Sequence, residues 1–219
     1  MENFKERKNI IFDYDGTLHN SFEIYSIAFK EAYKYLVKSN LAKEKVWKNN
    51  EISKWLGYSS RDMWNAFMPN LSDEEKAKCS SIIGESMINQ VNDNKVKLYD
   101  GALEVLNYLN SKGYNLIFLS NCKIEYMNKH KKLFKLDNYF NAFYCTEQFG
   151  FIPKYEIFKV IKKKYTGEYI IIGDRIVDIE IATMHDEVSI GCSYGYGELW
   201  ELYEASTLID DIKELMLLL

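Results

Sequence analysis

Proline occurs only twice in the 219 residues, at Pro69 and Pro153. No low-complexity tract, internal repeat or flexible linker interrupts the chain. No run of about 18 apolar residues is present, so no transmembrane helix is expected. The opening stretch MENFKERKN carries charges with no apolar segment behind them, unlike a secretory signal. A basic excess is also missing: 28 Lys and Arg face 32 Asp and Glu, a net charge of −4. Phosphate-backbone binding normally needs a basic face, so no nucleic-acid partner is expected. The four cysteines, Cys79, Cys122, Cys145 and Cys192, form no C-x-x-C pair and match no zinc spacing. They are expected to be free, mostly buried thiols in a reducing compartment. The expectation is a soluble, cytoplasmic protein with no membrane partner, monomeric by default.

What is present is ample apolar material, 47% of residues, enough for one large domain or a core with a smaller insertion. Asn9 to Phe12 form a short apolar run that delivers Asp13-Tyr14-Asp15-Gly16-Thr17, the pattern of a buried strand ending in polar groups. From about residue 20 to 95 the periodicity is helical. Phe22, Tyr25, Phe29, Ala32, Tyr33 and Leu36 mark one amphipathic helix. Trp47, Ile52, Trp55 and Leu56 predict a second, stopping at Gly57. Ser60 is the expected cap of a third through Phe67, and Ser72 with Glu75 reads as a capping box for a fourth towards Gln90.

Beyond residue 95 strands alternate with helices. Helices are predicted at Ala102–Leu109, about Lys123–Phe134, Tyr155–Lys164, Ile176–Met184 and Ile209–Leu219. Strands are predicted at Tyr114–Leu119, Ala142–Cys145, Tyr169–Ile172 and Val188–Ile190. The alternation predicts an α/β fold: a Rossmann-like, doubly wound parallel sheet core of residues 1–17 and 97–219, with an inserted all-helical domain over 18–96. A ligand site should lie beyond the carboxyl ends of the strands.

Three apolar strands end in polar groups: Asp13 and Asp15, Ser120-Asn121, and Gly173-Asp174 with Asp178 four residues on. Four carboxylates at one rim repel each other unless a cation joins them. Hard oxygen ligands favour Mg2+, with Asp13 and Asp174 as direct ligands and Asp178 in support. An ionised Asp13 can attack phosphorus and form an aspartyl-phosphate. Asp15 is placed to protonate the leaving alcohol and then activate water, with a pKa expected to rise beside the charge of Asp13.

These strings resemble the haloacid dehalogenase superfamily. Phe12-Asp13-Tyr14-Asp15-Gly16-Thr17-Leu18 is similar to its first motif, Leu119-Ser120-Asn121 to its second, and Gly173-Asp174-Arg175-Ile176-Val177-Asp178 to its fourth. Gly191, Ser193, Tyr194 and Gly195, with the helical insertion, resemble the phosphoglycolate phosphatase branch. The resemblance implies that Ser120 and the Asn121 amide hold phosphoryl oxygens and that Lys154 is the phosphate-binding lysine. It also implies that the Asp15 carbonyl joins Asp13 and Asp174 around Mg2+, and that the insertion caps the core. The implied activity is hydrolysis of a small phosphorylated metabolite. A phosphomutase keeping the same residues is the nearest alternative; a dehalogenase or a non-catalytic phosphate-ligand binder fits the acids less well. Two positions depart from the pattern: Asn20 stands before Ser21 where Asp is frequent, and Pro153-Lys154-Tyr155 replaces Lys-Pro. Arg61 reads as a surface arginine, His19 as a solvated loop residue, and His130, among Lys129, Lys131, Lys132 and Lys135, as part of a wet helix face. Trp47, Trp55, Trp64 and Trp200 are expected in the core.

Overall fold

The computed structural model describes Phe4 and residues 7–219. It separates into two compact units. One holds the chain up to Asn20 together with Leu98–Leu219; the other holds Ser21–Lys97.

The first unit is built on six parallel strands among the described residues: β1 (Asn9–Phe12), β2 (Asn115–Ser120), β3 (Ala142–Cys145), β4 (Tyr169–Gly173), β5 (Val188–Cys192) and β6 (Thr207–Ile209), in the order β3-β2-β1-β4-β5-β6. β1, β4 and β5 are buried along their whole length. They are largely apolar, with Asn9 and Ser189 the buried polar exceptions, because helices cover both faces of a parallel sheet. The register sets Ile11 beside Ile117 and Ile171. On that face these residues pack with Ile157, Phe158 and Ile161 of α7 (Lys154–Lys164) and Ile181 and Ala182 of α8 (Ile176–His185). The pleat sends Phe12 and Phe118 to the other face, where both rings meet Phe140 edge-on at about 6 Å. There α5 (Ala102–Ser111) lies against β2, with α9 (Leu215–Leu218) beside it. α6 (Ile124–Leu133) follows β2.

The chain end departs from the single predicted helix over Ile209–Leu219. Thr207–Ile209 instead pairs with β5, with Ile209 opposite Cys192. The Asp211 carboxylate accepts from the Lys213 amide and starts a 3-10 turn before α9. Apolar spacing alone did not separate this strand and turn from a helix.

The second unit is helical: α1 (Phe22–Lys38), α2 (Asn49–Ser53), α3 (Ser60–Phe67) and α4 (Asp73–Asn92). Ile24, Ala28, Ala32 and Leu36 recur every four residues on the buried face of α1. The Gln90 side chain of α4 donates to the Ile24 carbonyl at 2.9 Å. Ser59, not Ser60, caps α3 by accepting from the Asp62 amide. Ser72 accepts from the Glu75 amide at 3.3 Å, while the Glu75 carboxylate takes the Tyr35 hydroxyl at 2.8 Å. Of the tryptophans, Trp64 is buried and Trp47 and Trp55 are partly so. Trp200, expected inside, is 59% exposed on a surface 3-10 turn. No helix among the described residues is long and apolar enough to cross a membrane.

Candidate active site

β1 lies at the centre of the sheet, where the strand order reverses. Open α/β sheets bind ligands at such a point, outside the carboxyl ends of the strands. The Asp13 amide donates to the Ile172 carbonyl at 2.9 Å, so pairing runs one residue past β1 and fixes where Asp13 emerges. The chain then turns sharply. The Tyr14 carbonyl accepts from the amides of Leu18 and His19 at 2.9 and 2.8 Å, and the Gly16 amide donates to the His19 carbonyl. Gly16 has φ +95, and a Cβ there would lie 2.2 Å from Asp174 Oδ2. Only glycine fits this position.

Asp13, Asp174 and Asp178 come together. One carboxylate oxygen of each lies within 4.8 Å of the others, and all three residues are buried. Lys154, the first residue of α7, is 3% exposed. Its Nζ donates to Asp13 Oδ1 at 2.5 Å and Asp178 Oδ1 at 2.6 Å. The other oxygen of Asp178 accepts from the Arg175 amide at 3.1 Å and caps α8. Asp174 Oδ2 accepts from the Tyr196 amide at 2.7 Å. The loop before α8 is tied by Glu201, whose carboxylate binds Arg175 Nε at 2.9 Å and the Ile176 amide at 3.2 Å.

Three buried carboxylates face one ammonium. Burial and then the charge of Asp178 push Asp13 well above the usual carboxylate range, against the pull of Lys154. The same causes, burial first and Asp178 second, push Asp174 up to about 7. Burial alone would lower Lys154, but Asp13 and Asp178 more than offset it and raise its pKa, so it stays charged. The site therefore crowds more acidic groups than its one ammonium can balance, and clusters hard oxygen donors. That is the donor chemistry a divalent cation such as Mg2+ requires, so the residues fit one.

The Asp15 side chain turns elsewhere. Its Oδ1 accepts from the Tyr126 hydroxyl at 2.9 Å and lies 2.9 Å from His19 Nδ1. Burial would raise its pKa, but the hydrogen bond from His19, the charges of His19 and His130, and the Tyr126 hydroxyl together lower it. The expected rise beside Asp13 is thus corrected: the partners gathered around the carboxylate, His19 first, outweigh burial. His19, read as a solvated loop residue, and His130, read as part of a wet helix face, are both 0% exposed. His19 stacks on Tyr14 at 5.2 Å and 16°. His130 shares a 2.6 Å hydrogen bond with the Tyr14 hydroxyl. The signal that could have found His130 is on α6, where Tyr126, Met127 and His130 share one helical face, the buried one.

Ser120, at the end of β2, is buried, and Asn121 follows it half-exposed. Arg61 is exposed on α3. All four cysteines are free; Cys122 is half-buried and the other three buried.

Fold, motif order and the acid cluster define one class. The chain belongs to the haloacid dehalogenase-like hydrolase family, whose model matches residues 10–186. Solved structures share the fold over nearly the whole chain. One is a predicted phosphoglycolate phosphatase from Haemophilus somnus, 21% identical, covering 98% of both chains at a TM-score of 0.80. Another is a predicted phosphatase from Clostridium acetobutylicum, 23% identical, covering 96% of both at 0.78. A third is CbbY from Rhodobacter sphaeroides in complex with phosphate, 16% identical, covering 95% of this chain and 96% of that one at 0.77. No curated protein sequence matches the chain significantly.

Proposed function

We propose that this hydrolase is a Mg2+-dependent phosphatase that releases phosphate from a small phosphomonoester through an aspartyl-phosphate on Asp13. The observation that carries the reading is Lys154. It reaches Asp13 and Asp178 at the switch point of the sheet, with Asp174 in the same cluster. A nucleophilic carboxylate is thereby paired with a cation able to neutralise an incoming phosphoryl group.

Asp13 and Asp174, with the Asp15 main-chain carbonyl, would hold Mg2+, and Asp178 would support it. When bound, Mg2+ supplies positive charge to the carboxylates and to the phosphoryl oxygens. Ser120 Oγ and the Asn121 amide donate to those oxygens alongside Lys154. Asp13 attacks phosphorus, and the bond to the leaving oxygen breaks. Asp15 gives its proton to that oxygen. Water then attacks the phosphorus of the aspartyl-phosphate, Asp15 takes the water's proton, and inorganic phosphate leaves with Asp13 restored. A phosphoryl dianion arriving beside Asp15 opposes its ionisation and so loads the proton needed in the first step. The Ser21–Lys97 unit takes the part of the substrate-selecting cap, on the family resemblance. The phosphate bound in CbbY supports a small phosphorylated substrate.

The test is phosphate release from an aryl phosphate and a panel of small phosphomonoesters, with and without Mg2+, for the wild type and Asp13→Asn. Mg2+-dependent release that disappears in the variant is the expected result. A sugar phosphate isomerised without net release would replace the phosphatase by a phosphomutase. No turnover of any kind by a folded, Mg2+-loaded protein would sink both.

A further inference from the structure

We propose that His19 and Tyr126 are positioning residues that hold Asp15 by one oxygen, Oδ1, and so reserve Oδ2 for proton transfer. The proposal rests on the reading of Asp15 as acid and base.

Both groups converge on one atom. Tyr126 Oη and His19 Nδ1 each lie 2.9 Å from Asp15 Oδ1, and they are 3.2 Å from each other. An aspartate χ2 is broad and roughly two-fold, so an untethered carboxylate exchanges its oxygens freely. Two donors on one oxygen remove that freedom. The donors are themselves fixed. His19 is 0% exposed, lies flat on Tyr14, and packs edge-on against His130 at 4.7 Å. Tyr126 packs on His130 at 4.1 Å, and His130 is tied to the Tyr14 hydroxyl. Four rings thus form a buried brace behind the carboxylate. It joins the turn after β1 to α6, two elements more than a hundred residues apart. Asp15 itself keeps 17% of its side chain exposed, as a group that must meet substrate and water requires.

The chemistry predicts a specific signature. Proton donation to the leaving oxygen matters for an alkyl phosphomonoester, whose alkoxide is a poor leaving group, and little for p-nitrophenyl phosphate. A residue that positions the acid should therefore change the dependence of rate on leaving-group pKa. A residue that only supports the fold should lower all rates alike. The reading is kcat/KM, which reports the leaving-group step.

The experiment measures kcat/KM with Mg2+ for a graded series of aryl phosphates and one alkyl phosphomonoester. The proteins are the wild type, Tyr126→Phe, His19→Leu and His19→Asn. Tyr126→Phe and His19→Leu are expected to lose roughly 10–100-fold on the alkyl ester and under about 3-fold on p-nitrophenyl phosphate. His19→Asn, which keeps an N–H near the Nδ1 position, should recover much of the alkyl rate. Adding Tyr126→Phe to Asp15→Asn should cost nothing further, because the two act through one carboxylate. Equal losses on all esters, or no loss, would overturn the proposal while the phosphatase reading stood. A wild type that turned over no ester would overturn both. Should His19→Leu fail to fold, Tyr126→Phe, which removes one hydroxyl, still decides.

Discussion

Lys154 Nζ lies 2.5 Å from Asp13 Oδ1, with both residues nearly excluded from water. The pair spans 141 residues and ties the first turn of α7 to the end of β1. One ammonium serves two carboxylates here, while a third, Asp174, stands in the same cluster.

Asp13→Asn removes the proposed nucleophile and one of three crowded charges. Phosphate release should fall by at least about 10^3-fold, as for loss of other covalent nucleophiles. Stability without Mg2+ should rise near neutral pH, because the fold disfavours the ionised form of Asp13. Phosphate assay and urea unfolding check the two halves separately. A variant that kept wild-type turnover would remove Asp13 from the mechanism.

Lys154→Met leaves Asp13 and Asp178 buried without their cation. Breaking a buried ion pair from one side costs roughly 3–5 kcal/mol, so the metal-free variant should be strongly destabilised. Mg2+ should restore part of that loss, since it would supply positive charge to the same group of carboxylates. Activity should stay down by about 10^2-fold or more even when the metal saturates, because the phosphoryl contact proposed for Lys154 would be gone. Unfolding curves at several Mg2+ concentrations, followed by kinetics, test both claims.

The pKa of Asp174 gives a pH signature. Its folded value, about 7, lies above the unfolded value near 3.9. The native state therefore holds the proton more tightly between about pH 4 and 7, and stability falls as pH rises through that window. The effect is of order a few kcal/mol. Mg2+ should reverse the slope, since its binding needs ionised carboxylates, and at 100 times its Kd it would add about 2.7 kcal/mol. Asp174→Asn should flatten the slope and abolish the Mg2+ effect. A metal-free wild type whose stability carried no Asp174-dependent slope would contradict the buried-acid reading.

His130 contributes with the opposite sign. Burial, then the charge of His19, pushes it down to about 3. The unfolded chain binds the proton first, near pH 6.5, so this stabilisation is full above that pH and is lost as pH falls towards 3. Between pH 8 and pH 5 the wild type should lose about 2 kcal/mol from this source. His130→Phe should have that much less acid sensitivity, whatever its baseline cost from the lost Tyr14 bond. Comparing each variant with the wild type separates this slope from that of Asp174.

Much of the fold was legible because β1, β2 and β4 are buried apolar runs that end in chemistry-bearing residues. The strand at Ala142–Cys145 and the helices α7 and α8 also followed from periodicity. The helix Asn49–Ser53 is shorter than the Trp47–Leu56 spacing suggested, since Trp47 and Trp55, which face Phe29 and Phe67, both lie outside it. The brace was illegible for a different reason. His130 sits among lysines, and its partner Tyr14 is 116 residues away, so no local pattern announces that it is buried. The direction of the Asp15 shift failed with it, because it depends on His19, folded back onto Asp15 from four residues on, and on the distant rings of His130 and Tyr126.

Gly195→Ala tests how tightly Asp174 is seated. A Cβ at Gly195 would lie 2.2 Å from Asp174 Cβ and 2.5 Å from its Oδ2. The carboxylate would have to move away from the Tyr196 amide that now donates to Oδ2. Overpacking of this kind costs roughly 1–3 kcal/mol. Displacing a ligand's orienting bond typically weakens metal binding by about 10–100-fold, so the Mg2+ concentration for half-maximal activity should rise by that factor. Gly150→Ala is the control. That glycine has φ +67 with open space around it, so alanine should cost about 1 kcal/mol in backbone strain and leave the Mg2+ requirement unchanged. If Gly195→Ala also left the Mg2+ requirement unchanged, Asp174 would not be held in place for the metal by this loop.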